Sequence, residues 1–136
     1  DTMLEKDSMY NTPPCWAIYM LGLVVKWIDE QGGLEVMKEK NEKKAKLLYD
    51  YLDQSDFYKP HAKKDARSNM NVTFTTPSKE LDAEFVKESI AAGMTNLKGH
   101  RSVGGIRASI YNAMPYEGVE YLVNFMKEFE EKHISN

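Results

Sequence analysis

The apolar residues of this chain change period, and that change constrains the fold more than any other feature. Trp16, Met20, Leu23, Val24, Trp27 and Ile28 recur at three- and four-residue steps, the spacing of one helix face. The spacing returns in Leu34, Met37, Ala45, Leu48 and Leu52, then in Leu81, Phe85, Val86 and Ile90, and again in Val119, Leu122, Val123, Met126 and Phe129. Between these runs the period drops to two. Met70, Val72 and Phe74 alternate with Asn71, Thr73 and Thr75, and Ile106 to Tyr111 alternates likewise, the pattern of half-buried strands.

Punctuation residues place the boundaries. Thr12-Pro13-Pro14 opens the first helix, since Thr caps well and Pro suits a first turn, and Gly32-Gly33 closes it. The second helix is expected from Leu34 to Asp53, with Glu39–Lys43 and Glu42–Lys46 pairing on its wet side. A turn-rich stretch follows, with a short strand at Phe57-Tyr58-Lys59. The third helix runs from Ser78 to Ala92 and stops at Gly93. A short strand is expected over Thr95 to Lys98, and a last helix from Pro115 to His133. Helices lying on one face of a small sheet make an α+β layer.

At 136 residues the chain suits one domain with a modest core. A net charge of −3 argues against a basic footprint for nucleic acid, and the lysines from Lys38 to Lys46 read as a solvated helix face. The run Cys15 to Ile28 is too short and too interrupted to span a bilayer. One cysteine, Cys15, excludes an internal disulfide and fits a reducing cytosol; its place in a first helical turn reads as a buried structural role. His61 and His133 sit in polar contexts, no histidine pair has ligand spacing, and no metal site is expected. Asp29-Glu30 and Glu130-Glu131 read as solvated charge. The segment Asp1 to Tyr10 is polar and without period, like the cut end of something longer or a processed terminus.

Two segments could carry chemistry. The first is Gly99-His100-Arg101-Ser102-Val103-Gly104-Gly105-Ile106-Arg107. The chain has three arginines against fifteen lysines, and two of the three stand here. Arginine offers a planar fork of donors that matches carboxylate or phosphate. The glycines permit positive φ and close backbone approach, and Arg107, heading a strand, sits on the more rigid element. By residues alone this unit fits either an anion-binding loop or a turn with surface arginines. The second is Ser8-Met9-Tyr10-Asn11-Thr12-Pro13-Pro14. A helix N-terminus suits phosphate, but the prolines remove two donors, and spacing alone favours simple capping by Thr12.

These two segments, extended through Ala108-Ser109-Ile110-Tyr111-Asn112-Ala113-Met114-Pro115, closely resemble the phosphoserine aminotransferase family. Arg67-Ser68-Asn69-Met70-Asn71-Val72 and Ala91-Ala92-Gly93-Met94 do too, and the similarity covers essentially the whole chain. The resemblance implies a pyridoxal-phosphate enzyme of fold type I. It implies the small C-terminal domain of that fold, helices on one face of a mainly antiparallel sheet, over residues 34–136. Residues 1–33 would be the tail of the large domain and a connecting helix. Family members interconvert 3-phosphohydroxypyruvate plus glutamate with O-phosphoserine plus 2-oxoglutarate in serine biosynthesis, often serve pyridoxine biosynthesis, and act as cytoplasmic homodimers with active sites at the interface. By the same resemblance Asn11 and Thr12 reach the cofactor phosphate of the neighbouring subunit. His100 and Arg101 lie near the substrate phosphate or distal carboxylate, and Arg107 holds the α-carboxylate. No lysine here matches the one that binds the cofactor covalently, and Lys98 is not in its context. The resemblance therefore implies no catalytic residue in this chain, and inactivity for the chain alone. A stand-alone anion-binding or interaction module, and an aminotransferase for another phosphorylated substrate, are the alternatives.

Overall fold

The computed structural model describes residues 1–134. The chain divides into two compact units, Asp1–Met37 and Lys38–Asn136.

The first unit holds α1 (Thr2–Glu5), α2 (Cys15–Glu30) and the opening of α3 (Gly33–Gln54). The aperiodic start of the chain thus contains one helical turn, followed by Asp7 and Ser8 in the left-handed region (φ 48° and 61°). α2 begins later than the Thr12 cap requires: Pro14 is its N-cap, at φ −75° and ψ 72°. A following proline pushes a residue out of the helical region, and both Thr12 and Pro13 precede one. Cys15 is exposed rather than buried, its Sγ donating to the Pro13 carbonyl at 3.3 Å. No residue of α2 is buried; Trp16 is 73% exposed and Leu21 62%. Leu34, expected on a buried face, is also exposed.

The second unit is built on a three-stranded antiparallel sheet of order β1-β2-β3, with β1 at Lys59–Pro60, β2 at Asn71–Thr75 and β3 at Ile106–Ser109. Alternation decides its faces. Val72, Phe74, Ile106 and Ala108 are all buried. They join one core with Leu48 and Leu52 of α3, Phe85 of α4 (Lys79–Ala91), and Val119, Leu122, Met126 and Phe129 of α5 (Tyr116–Ile134). Rings knit this core edge to face: Tyr58 on Phe74 at 5.6 Å, Phe74 on Phe85 at 6.0 Å, Phe85 on Phe129 at 5.1 Å. Such pairs contribute about 0.5–1.5 kcal/mol each beyond area burial. The α5 stripe is buried as its period predicts.

Several expectations shift. Phe57 and Tyr58 are core residues rather than strand, held where Ser55 Oγ accepts from both of their backbone N–H groups. β1 instead includes Pro60, which an edge strand tolerates. The strand expected at Thr95 to Lys98 contracts to one bridge, Lys98 to Ile106, because Asn96 turns left-handed (φ 64°). α4 is expected from Ser78; Ser78 is its N-cap, accepting from Leu81 N, and Ile90 is exposed while Ser89 takes the buried place.

Polar side chains also move inward. Lys44 is 2% exposed, so the lysine run is not wholly solvated. Lys46 pairs with Asp50 at 2.6 Å rather than with Glu42. Glu130 is half-buried and accepts from Tyr51 and from Ser55. His133 packs on the Phe129 ring at 4.4 Å between centroids.

Candidate anion-binding site

The sheet face turned away from the core is polar, and register sets its rows. Ser109 lies beside Asn71, Arg107 beside Thr73, and Lys59 beside Thr75. Arg107 is half-buried, its backbone N–H fixed to the Leu97 carbonyl at 2.7 Å. Its Nε is buried without a hydrogen-bond partner among the described residues. Arg67 Nε shares that condition, but the Arg67 terminal nitrogens bind Asp53 and its guanidinium stacks on Tyr49 at 4.4 Å. That ion pair holds the Asp53 carboxyl well below the usual carboxylate range. Arg107 has no such acceptor among the described residues, and a buried polar group in that position asks for one.

The glycine loop precedes β3. Gly99 N donates to the Gly105 carbonyl at 2.8 Å, and the Val103 and Gly104 N–H groups both donate to the His100 carbonyl. The closure requires glycine. A Cβ at Gly99 would meet Gly104 O at 2.0 Å, and one at Gly105 (φ +69°) would meet Phe74 O at 2.8 Å. His100 and Arg101 stand exposed at the tip. Ser102 N donates to His100 Nδ1 at 3.3 Å, with Ser102 Oγ 2.7 Å from the same nitrogen. A backbone N–H can only donate, so Nδ1 accepts and the neutral ring carries its proton on Nε2. A groove of about 820 Å³ runs between this loop and the start of α4, with Lys79, Lys98, His100 and Arg101 among its lining residues.

The turn after β3 is anchored to α3. Lys44 Nζ donates to the carbonyls of Tyr111 at 2.7 Å, Met114 at 2.9 Å and Ile110 at 3.3 Å. Asn41 Nδ2 donates to Asn112 Oδ1 at 2.8 Å. Burial alone lowers the Lys44 pKa.

His100, Arg101 and Arg107 thus share one loop-and-strand unit of the second compact body. Asn11 and Thr12 belong to the first, in the segment before α2. Both are exposed and make no hydrogen bond among the described residues. Sequence reasoning missed Asn71, Ser109 and Tyr111, although Arg107, Ser109 and Tyr111 follow a two-residue step. It missed Asn41 and Lys44 too, although both continue the three- and four-residue step from Met37 to Leu48. Among the described residues no helix is long and apolar enough to cross a membrane.

Residues 1–122 match the family model for class-V aminotransferases. The chain is 60% identical over 133 residues to a phosphoserine aminotransferase of Desulfatibacillum aliphaticivorans, and 60% identical over 130 residues to one of Lactococcus lactis. These alignments cover 97% and 95% of this chain but 37% and 36% of the relatives, so the chain spans little over a third of their length. The solved phosphoserine aminotransferase from Bacillus circulans subsp. alkalophilus superposes with a TM-score of 0.90 at 54% identity, covering 98% of this chain and 37% of that one. The pyridoxal-phosphate-bound enzyme from Trichomonas vaginalis superposes at 0.83 and 42% identity, covering 92% and 36%. This chain belongs to the class-V aminotransferase family.

Proposed function

We propose that the chain is part of a phosphoserine aminotransferase, exchanging an amino group between glutamate and 3-phosphohydroxypyruvate to give 2-oxoglutarate and O-phosphoserine. One observation carries the reading. Arg107 stands half-buried on a strand with an unpartnered guanidinium nitrogen, behind a cationic glycine loop, in a chain 60% identical to phosphoserine aminotransferases. Arg107 takes the α-carboxylate common to both amino acids. His100 and Arg101 take the distal group, the exposed Arg101 guanidinium supplying charge and the His100 Nε2–H a neutral donor, a pair that serves a phosphate and a carboxylate in turn.

Pyridoxal phosphate, when bound, supplies the electron sink for moving the amino group. The exposed amide of Asn11 and hydroxyl of Thr12, without internal partners, suit its phosphate. Lys44 is no candidate for holding the cofactor covalently, because its Nζ is committed to three carbonyls in the core. The residues that would do so lie outside this chain. A homodimer in which Asn11 and Thr12 serve the partner's site, a cytoplasmic location consistent with one free cysteine, and a second role in pyridoxine biosynthesis complete the proposal.

The test is a chimera in which this chain replaces the matching segment of the Bacillus circulans enzyme. It should transaminate 3-phosphohydroxypyruvate with glutamate, while the purified chain alone shows no turnover. A chimera that folds and binds pyridoxal phosphate yet is inactive refutes the reading, as does turnover by the chain alone. The closed core of the second unit favours one rival, a stand-alone anion-binding module; that rival predicts anion binding by the chain together with an inactive chimera.

A further inference from the structure

Tyr111 is 54% exposed, yet both of its ends are held. Its carbonyl receives the buried Lys44 ammonium at 2.7 Å, which ties the turn after β3 to the core. Its Oη receives Asn71 Nδ2 at 3.2 Å. Ser109 orients that amide in turn, donating from Oγ to Asn71 Oδ1 at 3.1 Å. A tyrosine left on the surface only for solubility needs none of these contacts. A phenol oxygen that accepts an N–H keeps its own proton to give. The Asn71 donor first, with the neighbouring Ser109 hydroxyl and the charge of Arg107, holds the Tyr111 phenol below its ordinary pKa, so Arg107 and Tyr111 lie within one another's field.

Spacing brings the two onto one target. Arg107, Ser109 and Tyr111 follow a two-residue step, and the ladder continues past β3 through Ile110 N to the Met70 carbonyl at 2.9 Å. Four residues of extended strand span about 13 Å, a distance two long side chains close around a small anion.

We infer that Tyr111 is a second ligand of the carboxylate that Arg107 takes. Its hydroxyl donates one hydrogen bond to a carboxylate oxygen, Asn71 and Ser109 aim it, and Lys44 fixes its backbone. The inference rests on the carboxylate reading of Arg107 and adds to it a residue that selects geometry as well as charge. Arginine alone accepts any anion, whereas a fixed donor beside it favours a planar carboxylate in one orientation.

The experiment titrates the chain with L-glutamate, following the Arg107 Nε–H and the Tyr111 ring by NMR, in the unaltered chain and in Tyr111→Phe, Asn71→Ala and Arg107→Ala. Tyr111→Phe keeps the ring and should raise the Kd about tenfold, equivalent to about 1.4 kcal/mol. Asn71→Ala leaves the hydroxyl in place but unaimed, and should raise it by a smaller factor. In the unaltered chain, saturating glutamate should move the phenol titration upward, because a carboxylate that accepts the proton favours the neutral phenol. Absence of any glutamate effect at Arg107, or binding indifferent to Arg107→Ala, overturns the carboxylate reading and this inference with it. Binding that is lost in Arg107→Ala but unchanged in Tyr111→Phe overturns this inference alone, as does a phenol titration that glutamate does not move.

Discussion

Replacing Lys44 with methionine tests whether the buried ammonium holds the turn that presents Tyr111 or merely survives burial. The wild-type group makes two short hydrogen bonds to carbonyls, at 2.7 and 2.9 Å, and a longer one at 3.3 Å. Hydrogen bonds from a charged donor contribute about 1.5–3 kcal/mol each. Two of the three acceptors are only part-buried, so water recovers some of that loss. Methionine retains the apolar stem and removes an ammonium whose lowered pKa shows that burial opposes its charge. The balance is a loss of about 2–4 kcal/mol, which lowers Tm by about 10–25 °C in a domain of about 100 residues. Circular-dichroism melts of the two chains measure it. The pH dependence adds a second reading. Because the folded pKa lies below the unfolded value, the unfolded chain binds the extra proton between them, and stability rises with pH through that window below 10.5. Lys44→Met should lack this component. A variant as stable as wild type, or more so, would show that ammonium desolvation outweighs the hydrogen bonds, and the anchoring role would be wrong.

Gly99→Ala places a Cβ 2.0 Å from Gly104 O; the loop must open, and Arg101 and His100 should lose their shared geometry, seen as altered amide shifts from 99 to 105. Acid should weaken the fold below the unfolded Asp53 value of 3.8, since Arg67 and, with it, Lys64 hold the folded carboxyl lower and that stability disappears as pH falls; Arg67→Met should reduce the sensitivity, leaving the part due to Lys64. Alkali acts oppositely at Tyr58. Burial pushes its phenol up, so its contribution is present below the unfolded value of 10.0 and is lost above it. Tyr58→Phe, which gives up the bond to the Met126 carbonyl at 2.8 Å, should cost about 1 kcal/mol at neutral pH and flatten the alkaline limb of a stability curve. Finally, α2 exposes Trp16, Tyr19 and Leu21, and the chain alone should self-associate. Light scattering that gives a single-chain mass at high concentration would contradict this, whereas Trp16→Glu should restore the monomer if the contact is real.

Local chemistry was enough for much of this protein. The two-residue step of Val72 and Phe74, and of Ile106 and Ala108, named the buried face of the sheet, and the stripe from Val119 to Phe129 named the buried face of α5. The glycines at 99 and 105 and the clustering of Arg101 and Arg107 marked the loop and strand of the candidate site. These features depend on backbone sterics and on side-chain periodicity, which act over a few residues.

What the tertiary structure decided is which polar groups go inside and what they hold. Lys44 lies in a run of lysines that composition assigns to solvent, and only the carbonyls of Ile110, Tyr111 and Met114, brought across from the far end of the chain, give its ammonium a place in the core. Tyr111 gains an orientation only because Asn71, on another strand, faces it. Glu130 is drawn inward by Tyr51 and Ser55 for the same reason. A buried polar group is stable only where its partners converge; the local step could place Lys44 on the inner face of α3, but its partners are distant in sequence, so no local pattern could name what it holds.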